Sequence, residues 1–463
     1  MYLIEGTPGV GKTTLAMQFL LEGMRQGERC LYITLSESRG ELEMVARSHG
    51  WNLGDLEVIE LADVEKALAG RGKTTLFQAS EFELDELMRL LLTKVEQERP
   101  QRLVLDSLSE LRLLTQSALR FRRQMLTLKQ RLGEAGCTVL VLDDRSAPEG
   151  DSHIHSIVHG ALLLSSPRLG YGIFRRFLSV IKLRATRFRE GNHDYVIRKG
   201  GLEVFARLIA AEHVGDHAKR AGASGNARLD ALVGGGLHYG TSNLLIGPAG
   251  SGKSTVAMMY AHAAAARGEH VRYFMFDESV ATLRSRARDM GIDFEPLVAS
   301  GHLRLEQIDP AEISPGELAH SICRSVGSEK TRMVVLDSLN GYINAMPQEE
   351  FLHLHLHELV TYLNQQGVMT LMILAQHGLV GPMGTPVDIS YLADSVLVFR
   401  FFEALGEIKK AISVIKKRSG PHENAVRELR MTSKGVVLGE PLSEFQGVLT
   451  GVPRLVGGGA RDA

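Results

Sequence analysis

The sequence predicts an α/β protein of two tandem domains, each a mainly parallel, twisted sheet flanked by helices. The first indication is that short β-branched runs such as RCLYITL alternate with longer amphipathic segments such as TTLAMQFLLEGMRQ. Strands that alternate with helices form βαβ crossovers, and these give parallel sheets covered on both faces. The second indication is a glycine-rich loop between a strand and a helix, and the third is that the chain repeats itself.

The elements of the first domain follow from local patterns. RCLYITL, RLVLDSL and TVLVLDD are short and apolar, and we predict that they are buried strands. TTLAMQFLLEGMRQ and FRRQMLTLKQRLGEAG have apolar residues at helical spacing. The second of these helices is predicted to close on Gly136, because glycine favours the left-handed conformation that ends many helices.

The internal repeat defines the domains. The shift that carries Lys12 onto Lys253 places YLIEGTPGVGKTTLAM on NLLIGPAGSGKSTVAM, and RLVLDSLSELRLL has a later counterpart in RMVVLDSLNGYIN. Two copies of one domain account for this. We predict domains at residues 1–222 and 223–445, with a polar seam near 215–229, and a flexible, glycine-bearing tail at 446–463.

The first copy begins later in the repeat than the second. Met1 aligns with Ser242, whereas the second copy has GNARLDALVGGGLHYGT before that point. Such a segment is expected to lead into the first strand and to cover one edge of the sheet. We expect either a truncated first copy or a start codon placed too late, and we favour the misplaced start.

Composition restricts the class of protein. The chain has 463 residues, of which 44% are hydrophobic and 23% charged, with a formal net charge of −1. That charge argues against binding to nucleic acid or to an anionic membrane by bulk electrostatics. The three cysteines are scattered, without a CxxC pair, which fits a reducing compartment and predicts neither disulfides nor a zinc site. With no apolar run of membrane-spanning length and no signal peptide, we expect a soluble, cytoplasmic protein.

The glycine-rich loops predict nucleotide binding. GTPGVGKT and GPAGSGKS both fit G-x-x-x-x-G-K-[ST], in which backbone N–H groups and a helix N-terminus surround phosphate and the lysine reaches the β- and γ-phosphates. One match can be accidental, but two with matching downstream elements indicate ATP sites. The candidate residues are Gly6, Thr7, Pro8, Gly9, Val10, Gly11, Lys12, Thr13 and Thr14, and Gly247, Pro248, Ala249, Gly250, Ser251, Gly252, Lys253, Ser254 and Thr255.

Acidic residues at strand ends supply the rest of the chemistry. Asp106 and Asp337 each end an apolar strand, and with Thr13 and Ser254 they are predicted to hold Mg²⁺ and its water shell. The alternative is that each aspartate only caps the next helix.

A glutamate follows another apolar strand in each copy. Glu37 lies in TLSES and Glu278 in MFDES, where a carboxylate could orient or deprotonate water in line with the γ-phosphate. The alternative is a helix cap at Ser36 or Asp277, with the glutamate in the first turn of the helix.

Paired cations recur late in each copy. Lys182 and Arg184 lie in KLR, and Lys416 and Arg418 lie in KKR, so that each pair falls on one face of a strand. A single such pair is an ordinary solvated face. Its recurrence in register favours cations that contact phosphate, which are often supplied by a neighbouring subunit.

Two other patterns are less informative. FLHLHLHELV could suggest metal, but only His353 and His357 share a helical face and HExxH is missing, so we expect a surface helix without metal. The basic run LRFRRQ is more often the solvated side of a helix than a nucleic-acid strip.

Taken together, these motifs resemble those of the KaiC proteins, P-loop ATPases related to RecA and RadA. The resemblance runs from Met1 to about Glu440 and rests on the GxPGxGKT-like loops, the SE or DE strand ends, the DSL acids and the KxR pairs. It implies two tandem RecA-like P-loop domains, a double-ring homohexamer with ATP between neighbouring subunits, and ATP hydrolysis. In clock members of the family the second ring also phosphorylates itself.

Carried over by position, the resemblance makes Glu37 and Glu278 the catalytic glutamates. The family has a pair of adjacent glutamates, and here the first member is Ser36, which cannot act as a base, or Asp277. The phosphorylated Ser-Thr pair falls on Ser390 and Tyr391, so that the serine is kept and the threonine is lost. The resemblance also implies an adenine contact at Ser48 and trans-edge contacts at Lys182, Leu183, Arg184 and Thr186 and at Lys410, Lys416 and Arg418.

Two alternatives stay open at this point. One is a RecA/RadA-like DNA-dependent ATPase, which should have basic DNA loops or a zinc module and is disfavoured by the neutral charge. The other is a nucleotide-sensing scaffold without kinase activity. The interpretation that we favour is an ATPase in signalling or regulation whose second domain phosphorylates itself on Ser390, with Asp277 beside Glu278 as the candidate base. For this autokinase, as for the scaffold, we expect a protein signalling partner that the sequence does not name.

Overall fold

The structure is a computed structural model. It describes residues 1–60, 79–113, 117–145, 153–167, 174–215, 217–218, 220–344, 352–376, 378, 389–433, 435–450 and 452–455. The described residues up to Arg207 form one compact unit, and those from Leu208 onward form a second.

The first unit is built on a sheet of nine strands in the order β3-β2-β4-β5-β1-β6-β7-β8-β9. The strands are β1 (Tyr2–Gly6), β2 (Cys30–Thr34), β3 (Glu57–Glu60), β4 (Arg102–Asp106), β5 (Thr138–Asp144), β6 (Gly160–Ser165), β7 (Phe177–Leu183), β8 (Asn192–Arg198) and β9 (Gly201–Phe205). The helices are α1 (Lys12–Arg25), α2 (Arg39–Ser48), α3 (Ala79–Glu98), α4 (Leu108–Leu113), α5 (Ala118–Glu134) and α6 (His153–Ile157).

The second unit repeats this sheet in the order β14-β13-β15-β16-β12-β17-β18-β19-β20. Its strands are β10 (Ala221–Gly222), β11 (Leu237–His238), β12 (Ser242–Gly247), β13 (His270–Met275), β14 (Leu303–Gln307), β15 (Thr331–Asp337), β16 (Met369–Ala375), β17 (Ser395–Ala404), β18 (Glu407–Lys417), β19 (Arg427–Thr432), β20 (Gly435–Pro441), β21 (Phe445–Gln446) and β22 (Arg454–Leu455). Its helices are α7 (Ala227–Leu232), α8 (Lys253–Ala266), α9 (Val280–Asp289), α10 (Glu295–Ala299), α11 (Pro315–Ser328), α12 (Leu339–Asn344) and α13 (Leu352–Gln365), with 3-10 turns at Ala210–Glu212 and Ser390–Leu392.

Each sheet is parallel through its centre and antiparallel at one side. In the second unit β14, β13, β15, β16, β12 and β17 run parallel, and β18, β19 and β20 then alternate in direction. The first unit follows the same scheme. The predicted fold class is therefore confirmed for both copies.

Helices cover both faces of each sheet, which explains why the central strands are continuous apolar runs. Along β4, Leu103 and Leu105 pack in one core cluster, whereas Val104 between them packs in the cluster on the opposite face. Along β15, Val335 and its neighbour Val334 divide in the same way. Since successive side chains of a strand point to opposite faces, such a strand has no polar side.

The predicted elements lie where the local patterns placed them. TVLVLDD is β5, TTLAMQFLLEGMRQ falls on α1, and α5 ends just before Gly136, whose φ of 68° is left-handed. Within FLHLHLHELV, residues 352–360 lie in α13, with Leu352, Leu356 and Leu359 buried and His353 exposed, and Phe351 is outside the described residues.

The segment before the second copy covers a sheet edge, as expected. Asn226 and Arg228 of α7 donate from their side chains to the carbonyls of Val436 and Leu438, at 2.6 and 2.9 Å, on the edge strand β20. Leu229 and Leu232 pack in the core beneath α8.

The predicted flexible tail lies only partly within the described residues. Part of the predicted flexible tail, residues 451 and 456–463, lies outside them, while Phe445–Gln446 and Arg454–Leu455 pair as β21 and β22. Within the described residues, none of the helices has the length and apolar character needed to cross a bilayer.

Candidate functional site

The phosphate loops lie at the carboxyl edge of each sheet, between the central strand and the helix that follows. Gly11 and Gly252 begin α1 and α8 with φ of 100° and 108°, a conformation that side chains rarely adopt. A Cβ on Gly11 would lie 2.5 Å from Cδ1 of Ile197, and one on Gly252 would lie 2.0 Å from Cε of Met431. The left-handed backbone favours glycine at both positions, whereas the two contacts are with the ends of flexible side chains that can move.

The loop lysines fold back onto their own loops. Lys12 donates to the carbonyl of Gly6 at 2.9 Å and forms an ion pair with Asp144 at 2.6 Å. Lys253 donates to the carbonyls of Gly247 and Pro248 at 2.9 and 2.7 Å. Burial lowers the pKa of Lys253 to about 8, an effect that Asp337 opposes. A bound triphosphate would supply the negative charge that favours the ammonium form.

A hydroxyl and a carboxylate meet beside each loop. Thr13 donates to Asp106 at 3.4 Å, and Ser254 donates to Asp337 at 3.1 Å. Burial raises the pKa of both aspartates above the usual range. Oxygen ligands of this kind suit Mg²⁺, which keeps several waters and shares its sphere with nucleotide phosphates.

A tyrosine fixes each of these carboxylates. Tyr32 donates to Asp106 at 2.7 Å, and Tyr273 donates to Asp337 at 2.8 Å. The tyrosines occupy matching places in β2 and β13, the strands next to those that end in the aspartates. They were missed from sequence, although their equal distance from the loop lysines in the two copies was available as a signal.

The glutamates precede the helices that follow their strands. The N-caps of α2 and α9 are Ser38 and Ser279, whose side chains accept backbone hydrogen bonds from the first turn. The alternative cap positions Ser36 and Asp277 are therefore wrong. Glu37 and Glu278 stay outside the helices, at the carboxyl edge of the sheet where the loops lie.

The two glutamates differ in their surroundings. Burial raises the pKa of Glu37, and the charge of Asp106 adds to the effect. Its buried Oε2 has no hydrogen-bond partner among the described residues. Burial also raises the pKa of Glu278, but Arg286 opposes this and forms an ion pair with it at 2.8 Å.

Asp277, the other candidate base, turns toward the start of α12. Its Oδ2 accepts a hydrogen bond from Ser338, which directly follows Asp337. A Cβ on Gly341 would lie 2.3 Å from its Oδ1, so that glycine makes room for this carboxylate.

The cations of the first copy lie at the opposite edge of the sheet from its loop. β7 runs antiparallel to β6, and Lys182 pairs there with Ala161. Lys182 donates to the carbonyl of Val158 at 3.1 Å, and Arg184 donates to that of Ser156 at 2.7 Å. Both acceptors precede β6, which is parallel to β1. The side chains are therefore at the amino edge, whereas the loop of the same chain follows the carboxyl edge.

The second copy has the same arrangement. Lys416 pairs with Val396 near the start of β17 and donates to the carbonyl of Ser390 at 3.0 Å. Arg418 forms an ion pair with Asp394 at 3.7 Å. Ser390 begins the 3-10 turn before β17, so that the candidate phosphosite and both cations lie at the amino edge.

Lys410 departs from the position that the resemblance implied. It lines a cavity of about 170 Å³ over its own loop, together with Gly252, Lys253, Ser254 and Arg286. The reason is the length of β18, which runs from the carboxyl edge of the sheet to the amino edge and so separates Lys410 from Lys416.

The remaining residues predicted to contact ATP at the first copy are Ser48, Leu183 and Thr186, and they do not lie together. Ser48 is the last residue of α2, exposed, with its hydroxyl donating to the carbonyl of Val45 at 2.7 Å. The next residue, His49, contacts Thr14 of the loop helix at 3.5 Å. Leu183 ends β7 and Thr186 follows it, both on the side of Lys182.

Comparisons with known proteins identify a family. A family model described as "ATPase: KaiC" matches residues 1–209 and 223–443. The circadian clock oscillator protein KaiC of Acaryochloris marina is 26% identical over 462 residues, covering 98% of this chain and 87% of that protein. The circadian clock protein KaiC3 of Synechocystis sp. is 26% identical over 467 residues, covering 97% and 90%. The KaiC protein of Synechococcus elongatus is 25% identical over 466 residues, covering 97% and 87%.

Proposed function

This chain belongs to the KaiC family of ATPases, and we propose that it works as a homohexameric ring whose subunits complete one another's ATP sites. The observation that carries the proposal is the separation of each site into two halves. Lys253, Ser254 and Asp337 lie at the carboxyl edge of one sheet. Lys416 and Arg418 lie at its amino edge. A ring brings the amino edge of one subunit to the loop of the next.

The residues have distinct roles in hydrolysis. The loop N–H groups and Lys253 hold the β- and γ-phosphates. Ser254 and Asp337 would hold Mg²⁺, which when bound neutralises charge on the phosphates. Glu278 takes a proton from the attacking water as the bond between the γ-phosphorus and the ADP oxygen breaks. Arg418 of the neighbouring subunit stabilises the charge that develops on the transferred group.

The first copy supports the same reaction with a reduced set of acids. Thr13 and Asp106 occupy the metal positions, and Glu37 faces Asp106 as the only acid of the family's glutamate pair, since Ser36 replaces the other. We therefore expect both copies to hydrolyse ATP, in the presence of Mg²⁺.

The second copy is further proposed to phosphorylate Ser390. The carbonyl of Ser390 is bound by Lys416, a cation of the amino edge. Within one subunit Ser390 and the loop lie at opposite edges of the sheet, so that transfer must use the ATP of the neighbouring subunit. The Ser390 oxygen would attack the γ-phosphorus, ADP would leave, and the serine proton would pass to Asp277 or Glu278.

Mass spectrometry after incubation with ATP and Mg²⁺ tests the kinase proposal. We expect one added phosphate that is lost in Ser390→Ala, together with ADP production that continues in that variant. In Glu278→Gln both phosphate transfer and second-site ADP production should fall. ADP production without any added phosphate would remove the kinase and leave the ATPase.

We also propose a regulatory role in the cytoplasm with a protein signalling partner, because the relatives carry circadian clock names. A partner that reads the nucleotide state should bind the ATP-loaded and ADP-loaded rings differently. A pull-down with Lys253→Ala as the nucleotide-deficient control measures this, and equal capture in both states would contradict it.

A further inference from the structure

Arg286 is a cation in the second site that the repeat does not provide in the first. It lies in α9, two turns after Glu278, and lines the cavity over the phosphate loop with Lys253 and Ser254. Its Nη2 lies 2.8 Å from Oε2 of Glu278. Its buried Nε and Nη2 form no hydrogen bond within the described residues. The guanidinium therefore contacts Glu278 as an ion pair, and its charge also acts on Asp337, where it opposes the rise in pKa that burial causes.

The first site lacks this ion pair. The residue that matches Arg286 in the repeat is Val45, which packs in the apolar cluster beneath α2. Glu37 nevertheless faces Asp106 closely enough for the two charges to interact. The orientation of the glutamate toward the metal-binding aspartate therefore does not require a cation. What Arg286 adds is a positive charge beside Glu278, the carboxylate that must act on water.

We propose that Arg286 is a positioning residue that restrains Glu278 and thereby slows ATP hydrolysis at the second site. The carboxylate must leave the guanidinium before it can accept a proton from water. The exposed fractions of the two side chains are 35% and 22%, so that the pair is partly screened and the restraint is modest. The inference rests on the proposed role of Glu278 as the catalytic glutamate.

The test uses the full-length chain with Glu37→Gln, which silences the first site. In that background Arg286→Val, which introduces the first-copy residue, and Arg286→Gln, which keeps the length of the stem, should raise kcat by roughly two- to fivefold. KM for ATP should stay within about twofold, because the restraint acts on the glutamate and not on the nucleotide. Arg286→Lys keeps the charge and should hold kcat close to the parent.

The reciprocal change is Val45→Arg, measured with the second site silenced by Glu278→Gln. It should lower first-site kcat by a similar factor, because the new cation would face Glu37. Binding of a fluorescent ATP analogue reports whether each variant keeps a folded site.

The outcomes separate this inference from the proposed function. Turnover that persists in the Glu37→Gln, Glu278→Gln double variant would overturn the catalytic role of the glutamates. If that variant is inactive but Arg286→Gln leaves kcat unchanged or lowers it, Arg286 does not restrain Glu278 and the inference is wrong. A rise in KM with constant kcat would make Arg286 a nucleotide contact and would overturn the restraint equally.

Discussion

At the scale of single residues, the two sites share a set of contacts and differ around it. In each site a lysine donates to carbonyls of its own loop, and a hydroxyl and a tyrosine both donate to the same aspartate. The differences include Asp144, which Ala375 replaces at the end of β16, and Arg286, in addition to Ser36 in the place of Asp277. We therefore expect the two sites to carry out the same chemistry, although their side chains have different partners before ATP binds.

The proposed metal-binding pair, Ser254 and Asp337, gives the first prediction. Asp337→Asn keeps the size of the side chain and removes its charge, so that Mg²⁺ should bind more weakly and second-site turnover should fall by roughly ten- to a hundredfold. A titration of ATPase rate against Mg²⁺ in the Glu37→Gln background measures this. Unchanged dependence on Mg²⁺ would assign Asp337 to structure alone.

The Lys12–Asp144 pair gives the second prediction. Asp144 is the anion that engages the loop lysine of the first site, and its side chain is 37% exposed. Asp144→Asn removes a competitor of the triphosphate, and ATP binding at the first site should tighten by roughly two- to fivefold. Equilibrium binding of a fluorescent ATP analogue to chains that also carry Lys253→Ala checks this.

Ala375→Asp is the matched control at the second site. It places the same carboxylate at the corresponding end of β16, and nucleotide binding there should weaken when it is measured with Lys12→Ala. If Asp144→Asn weakens first-site binding instead, the carboxylate belongs to the nucleotide site and does not compete with it.

At the scale of elements, the loop helices α1 and α8 have different surroundings. Tyr260 of α8 is 1% exposed and packs in a core with Leu229 and Leu232 of α7. The matching residue of α1, Phe19, lines an open groove of about 510 Å³ and is contacted by the guanidinium of Arg102 at 4.8 Å. The same helix position is thus a core position in one copy and a groove position in the other.

Truncating these side chains gives the third prediction. Tyr260→Ala should lower the free energy of local opening around α8 by about 3–5 kcal/mol. Phe19→Ala should lower the free energy of local opening around α1 by about 1–2 kcal/mol, because folding buries less apolar area at Phe19 than at Tyr260. Native-state hydrogen exchange read peptide by peptide compares the two, and equal losses would contradict the difference in burial.

The sequence predicted those elements whose patterns are local and repeated. TVLVLDD became β5, and the edge cover before the second copy was expected from the offset of the repeat alone. Arg286 was not predictable, because α9 carries Arg284, Arg286 and Arg288, and only the geometry shows which of them meets Glu278.

The separation of Lys410 from Lys416 was not predicted, for a related reason. Resemblance groups it with Lys416, but the two lie in one long strand and so belong to opposite edges. Spacing along a chain does not say where an antiparallel strand begins and ends relative to its neighbours.

At the scale of the whole molecule, the division of each site between two sheet edges is the central claim. In the proposed ring, residues of the carboxyl edge hold the nucleotide, and cations of the amino edge serve the next subunit. The prediction follows that a subunit defective in its loop and a subunit defective in its cations can repair each other in a mixed ring.

The most direct measurement is second-ring ATPase in rings co-assembled from Lys253→Ala and Arg418→Ala subunits, both with Glu37→Gln to silence the first ring. An interface is complete when an Arg418→Ala subunit supplies the loop and a Lys253→Ala subunit supplies the cation. Random mixing in equal amounts makes roughly a quarter of the interfaces complete. We therefore expect about a quarter of the parental second-ring rate, well above either variant alone. A mixture that never exceeds the mean of the two separate variants would show that each subunit completes its own site.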